Sequence, residues 1–99
     1  MVSHPRKFKI NINITYLPPL SELFEKQSEV FEVKAGTLLS ELIEKLFYNY
    51  REALKAHQIN RLSPYIVIKL NNKVLPNKEL NIRLKDNDFI TLWMPVAGG

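Results

Sequence analysis

The chain has 99 residues, 45% of them apolar and 24% charged, which suits one folded domain and leaves no room for two. It has no cysteine, so disulfides, thiolate metal sites and a cysteine nucleophile are excluded. The net charge is +4, but the basic residues are scattered from Arg6 to Lys85 with no dense cluster, so no nucleic-acid partner is expected. No apolar stretch approaches the length of a signal peptide or a membrane span, and the expectation is a cytoplasmic protein with no membrane partner.

The first element is a half-buried strand over residues 7–16. Phe8, Ile10, Ile12, Ile14 and Tyr16 fall on one face, and Lys7, Lys9, Asn11, Asn13 and Thr15 on the other. Pro18 and Pro19 end it, because proline has no N–H for a ladder. A short helical turn is expected over Ser21–Gln27, then a second strand over Glu29–Lys34. Thr37 is placed to cap a helix N-terminus. Behind it Leu39, Leu42, Ile43, Leu46, Tyr50, Ala53 and Leu54 recur at spacings of three and four, one apolar stripe on a helix over 38–54. Glu41 and Lys45 are spaced for an i,i+4 pair on its exposed side.

His57 begins a loop, and Tyr65–Leu70 reads as a third strand closed by an Asn71-Asn72-Lys73 turn. Val74 and Leu75 make a brief strand before Pro76. Leu80, Ile82 and Leu84 alternate without a clear assignment, and Asp86-Asn87-Asp88 is a second turn. Phe89–Met94 is the last strand, followed by Pro95-Val96-Ala97-Gly98-Gly99 as a tail. Residues 1–95 are expected to form the domain and 96–99 a flexible end.

Strands in this order around one helix give an α+β domain. For every apolar face to reach the helix, the first and last strands must be neighbours in the middle of a mixed sheet of four to five strands. That arrangement is the β-grasp, or ubiquitin-like, fold.

Catalytic constellations are missing from the sequence. His4 and His57 lie in a polar terminus and a loop, without second ligands at metal spacing, and read as solvated histidines. Asp86 and Asp88 read as turn residues bonding their own backbone. No metal site and no bound cofactor are expected.

The terminal glycines stand out. The chain has three glycines and two are Gly98 and Gly99, an arrangement that average usage produces roughly once in two hundred chains. The turns use Asn72 and Asn87 where glycine would be easy. A residue without Cβ passes a narrow channel in any backbone conformation and leaves its carbonyl carbon open to a nucleophile. In the last strand, if Ile90 and Leu92 face the helix, Phe89, Thr91 and Trp93 face outward, with Val67 and Lys69 extending the patch from the third strand. Large aromatics beside such a tail suggest a docking surface.

The segment from Asp86 to Gly99, ending Pro95-Val96-Ala97-Gly98-Gly99, resembles the C-terminus of the MoaD group, the small subunits of molybdopterin synthase, within the wider ThiS-type ubiquitin-like sulfur carriers. Leu20-Ser21-Glu22-Leu23, Thr37–Leu42 and Leu70–Lys73 resemble the group more loosely. Asn87 stands where the group has a turn glycine, and Met94 where it has the first of two prolines.

The resemblance implies a sulfur carrier with no catalytic side chains of its own. The working group is the Gly99 carboxylate beside Gly98. A ubiquitin-activating-type enzyme, using ATP and Mg, adenylates it, and a sulfur donor protein converts it to a thiocarboxylate. The larger synthase subunit then takes up the tail, with Met94, Pro95, Val96 and Ala97 among the partner-binding residues. A carrier serving tRNA or thiamin, a protein modifier and a plain interaction module are the alternatives.

Overall fold

The computed structural model describes residues 8–56, 66–76 and 79–94. The alternating segment forms β1, Lys9–Tyr16. Ile10, Ile12, Ile14 and Tyr16 are all buried, because period-two alternation puts every second side chain under the same cover. Phe8, read as part of that inward set, is 76% exposed, so the covering layer stops short of it. A short helix α1, Leu20–Phe24, buries Leu20 and Phe24 and leads into β2, Ser28–Lys34, antiparallel to β1.

The long helix is divided. Helix α2 spans Leu39–Asn49 and α3 spans Arg51–Ala56, with Tyr50 between them at φ −106°, ψ 22°, outside the helical well. The expected single helix over 38–54 is therefore two, although its stripe is real: Leu39, Leu42, Ile43, Leu46 and Leu54 are all buried. Thr37 is not the cap. Its hydroxyl donates to the Lys34 carbonyl at 2.7 Å, and Leu38 takes the N-cap position. Leucine offers no acceptor, so the side-chain capping here is the return half of a capping box, in which Glu41 accepts from the Leu38 N–H at 2.8 Å. Glu41, expected to face Lys45, turns toward the helix start.

Strands β3, Val67–Leu70, and β4, Lys73–Leu75, form a hairpin, with Asn71 at φ 55° as its left-handed residue in place of the expected Asn72. Residue 65, expected in the third strand, and His4 and His57 lie outside the described residues. Leu80, Ile82 and Leu84 enter no strand. The Ile82 and Leu80 carbonyls accept from the Leu39 and Ser40 N–H groups, and the Leu84 N–H donates to the Thr37 carbonyl, so this stretch satisfies the first turn of α2.

The last strand β5, Phe89–Trp93, lies between β1 and β3 in the order β2-β1-β5-β3-β4. It runs parallel to β1, with Ile14 opposite Ile90, and antiparallel to β3, with Ile68 opposite Leu92. The central pairing of first and last strands, expected from their two apolar faces, is present. The mixed five-strand sheet with helices on one face is the β-grasp.

One corner of the core is polar. The hydroxyls of Tyr16 and Tyr50 both donate to Oε2 of Glu29, each at 2.5 Å, and Lys26 donates to Oε1 at 3.3 Å. The Tyr50 ring stacks on Phe24 with centroids 4.1 Å apart, and Tyr16 meets Phe24 edge-on at 5.0 Å. The break at Tyr50 thus places its ring on α1 and its hydroxyl on β2. Partial burial pushes the Glu29 carboxyl up, but hydrogen bonds from Tyr16, Tyr50 and Lys26 outweigh it and hold the group below its ordinary 4.5. Burial first, then the bond to Glu29, push Tyr50 up to about 12 and raise Tyr16 as well.

A carboxylate held below its ordinary value stabilises the fold fully above that value, and the contribution is lost as pH falls through the lower folded one. Glu29→Gln should cost about 1–2 kcal/mol at neutral pH, the value for bonds to a charged group reduced for solvent access. Urea unfolding at several pH values checks this. The wild type should lose stability below about pH 4.5 more steeply than the variant.

Candidate functional site

Strand β5 is aimed by the turn that precedes it. Asn87 takes φ 69°, a left-handed conformation that asparagine tolerates where glycine is the easier choice. Asp88, 9% exposed, accepts from the Lys85 N–H at 2.8 Å and from the Asn71 side-chain amide at 3.2 Å. The Asn71 side-chain Oδ1 in turn accepts from the Phe89 N–H at 3.0 Å, and Asp86 accepts from the Asn11 N–H at 2.8 Å. Asp88 bonds the backbone of its own turn as expected, whereas Asp86 reaches across to Asn11 of β1; together they tie the start of β5 to β1 and β3. The far end is fixed by the Leu17 N–H bonded to the Leu92 carbonyl at 2.9 Å.

Between these anchors the side chains alternate. Ile90 and Leu92 are fully buried, while Phe89 is 46% exposed and Thr91 and Trp93 are half-buried on the opposite face. The register sets Val67 opposite Trp93 and Lys69 opposite Thr91, distances at which facing side chains touch. The five residues expected to form the outward patch are thus brought onto one face. Phe89 stands between two shallow depressions of about 320 and 330 Å³. One includes Asn13, Ser28 and Val30, the other Lys69, Asn71 and Asn72.

Two apolar members of this face were not singled out from sequence. Val30 of β2, 61% exposed, lies across Asn13 from Phe89, and Val74 of β4, 54% exposed, faces Lys69. The signal was present as the parity of short strands, which places Val30 and Val74 on the outer side once the pairing is known. Met94 has the opposite parity and packs half-buried against the core, at the root of the tail. Pro95, Val96, Ala97, Gly98 and Gly99 lie outside the described residues. Among the described residues there is no group of three histidine, cysteine or acidic side chains fit to hold a metal ion, and no helix is long and apolar enough to cross a membrane.

The sequence profile of the ThiS family matches residues 6–99, which includes β5 and the whole tail. The chain belongs to the ThiS family. Solved structures agree on the fold. The complex of subunits 1 and 2 of the molybdopterin-converting factor from Helicobacter pylori contains a chain 29% identical, matched over 91% of this chain and 100% of that one with a TM-score of 0.57. SAMP1 from Haloferax volcanii is 17% identical over 90% of this chain and 99% of its own, TM-score 0.71. Urm1 from Trypanosoma brucei is 20% identical over 92% and 97%, TM-score 0.67. No curated protein matches the chain closely enough to be reported as a relative.

The parity of β5 makes opposite demands on adjacent positions. Leu92→Ala should cost about 2–5 kcal/mol, because it opens a cavity in the closed centre of the sheet. Trp93→Ala should leave a cooperatively folding protein with a native circular dichroism spectrum. Thermal unfolding of the two variants side by side checks the assignment of faces.

Proposed function

We propose that this protein is a sulfur carrier that works through the carboxylate of Gly99, and that it serves molybdopterin synthesis as the small subunit of the synthase. The reading rests chiefly on a ThiS-family match that runs through the Pro95-Val96-Ala97-Gly98-Gly99 ending, directly behind a central strand with an aromatic outer face. Extended, residues 96–99 reach about 13 Å, enough for the body to dock outside a partner while the carboxylate enters its active site.

In this reading the Gly99 carboxylate oxygen attacks the α-phosphorus of ATP in the adenylating partner, and pyrophosphate leaves. A persulfide on the donor protein then attacks the carbonyl carbon and AMP leaves with one carboxylate oxygen. A thiol of the donor cleaves the S–S bond of the resulting acyl disulfide, so that the thiocarboxylate stays on the carrier and a disulfide on the donor. The carrier's contribution is steric and positional. Gly98 and Gly99 present no Cβ to the channel, and the body fixes where the tail begins. Phe89, Trp93 and Val67, with Thr91 and Lys69, supply the contact to the larger subunit, the kind of aromatic anchoring that carries most of an interface's energy. Subunits 1 and 2 of the Helicobacter pylori factor form a complex, which supports a larger partner of this kind. SAMP1 and Urm1, below 25% identity, support the fold and leave the acceptor open.

Deleting Gly99 should leave folding unchanged and abolish loading, because the carboxylate then falls roughly 3.5 Å short, and misplacement of about 1 Å already costs about a hundredfold in rate. Intact-mass spectrometry after incubation with ATP, the adenylating enzyme and a sulfur source checks it. The wild type should gain about 16 Da as oxygen is exchanged for sulfur, and equal loading of the truncated form would sink the carrier reading. Lysine-linked adducts in place of sulfur transfer would mark a protein modifier instead.

A further inference from the structure

The two edges of the sheet are unequal. Strand β4 offers three residues and runs into Pro76, whereas β2 offers seven, in continuous register with β1 from Ser28 to Lys34. Bonds from the Tyr16 N–H to the Gln27 carbonyl and from the Ala35 N–H to the Phe8 carbonyl set the phase of the β1–β2 ladder. In an antiparallel pair the bonding residues alternate, so Ser28, Val30, Glu32 and Lys34 turn their backbone groups away from β1. The Lys34 carbonyl is taken by Thr37. The N–H groups of all four and the carbonyls of the first three form an open template. Natural edges are closed by a proline, a bulge, a covering element or charged side chains. Among the described residues β2 has only the last, Glu29, Glu32 and Lys34, of which Glu29 is held by Tyr16 and Tyr50 and Glu32 by Lys9.

Beside this edge lies a cleft of about 610 Å³ between the end of β2 and the start of α2. Val33 and Leu42 form its apolar floor, and Lys9, Lys34 and Lys45 stand around it. Its two acids are engaged. Glu32 pairs with Lys9 at 3.8 Å, and Glu41 accepts the Leu38 N–H. Among the described residues Lys34 and Lys45 have no carboxylate partner.

We propose that the β2 edge binds an extended acidic peptide, which adds as a sixth strand and sets its carboxylates against Lys34 and Lys45. Main-chain bonds supply the affinity in this mode and side-chain pockets the selectivity. A second copy of the chain fits less well. Two-fold pairing centred on Glu29 or Glu32 sets that glutamate against its own copy. Centring on Val30 opposes Lys34 to Lys26, centring on Phe31 leaves the two Glu32 side chains diagonal neighbours, and centring on Val33, which does set Glu32 against Lys34, overlaps only residues 32–34 of β2 in each copy. The edge is two strand spacings, about 10 Å, from β5, so the proposal does not depend on the tail chemistry.

The test is a ¹⁵N-resolved titration of the whole chain with a blocked octapeptide of four valines followed by four glutamates. Shifts should appear at Ser28–Lys34 and in the first turns of α2. They should weaken with salt, and they should be absent for the peptide with lysines in place of glutamates. Val30→Pro removes one outward N–H and is compatible with an edge strand; it should weaken binding about tenfold. Lys34→Glu, which leaves the backbone untouched, should do the same by reversing one charge. Loss of fold in the proline variant leaves the charge variant to decide. Three results would overturn the proposal: no shift along β2 at millimolar peptide, equal binding of the lysine peptide, or shifts confined to Thr91 and Trp93. Edge shifts that follow protein concentration without peptide would overturn it in favour of a second copy.

Discussion

Everything in this fold follows from the need of two strands for one cover. β1 and β5 each turn a row of aliphatic side chains to the same side of the sheet, and neither can bury that row alone. Packed as parallel neighbours, they offer one continuous surface to the stripe of α2, and the other elements attach to what that pair leaves open. β2 and β3 close its flanks, α1 and Tyr50 fill the corner beyond Tyr16, and the 79–84 stretch satisfies the start of α2. The outer face is a by-product of the same alternation. Residues that cannot point at the helix point at whatever docks there.

What the sequence displayed was mostly periodicity. Period two in β1 and β5 and the three-four spacing of α2 each reflect burial on a single face, so they can be read without knowing the neighbours. What it hid depends on tertiary partners. No local signal breaks the helix at Tyr50, because the reason is a carboxylate on β2 some twenty residues earlier. Glu29 shares the inward parity of Phe31 and Val33, and an acid at such a position is a clue to buried donors, but the donors are far away in the chain. Thr37 resembles a cap, yet the turn before it offers a carbonyl that its hydroxyl meets instead. The 79–84 stretch alternates like a strand, but its carbonyls go to a helix terminus.

The candidate site divides in the same way. Phe89, Thr91, Trp93, Val67 and Lys69 were legible as a patch because one parity rule governs all of them, and the two cross-strand pairs join them. Val30 and Val74 were not, since their exposure follows from which strands lie beside them. The tail was legible by composition, as two terminal glycines in a chain that has one other, Gly36, and among the described residues puts Glu25, Asn71 and Asn87 at its remaining left-handed positions.

The central place of β5 also decides how the molecule carries load. The antiparallel ladder to β3 has its bonds perpendicular to β5 and the parallel ladder to β1 has them slanted across it, and the tail follows directly on the end of this strand. A partner that draws on the residues after Met94 therefore pulls both ladders in shear, against many bonds at once, where an edge strand would peel off one bond at a time. The handle is attached to the part of the domain that is mechanically hardest to extract, so the tail can be gripped firmly while the body keeps its shape.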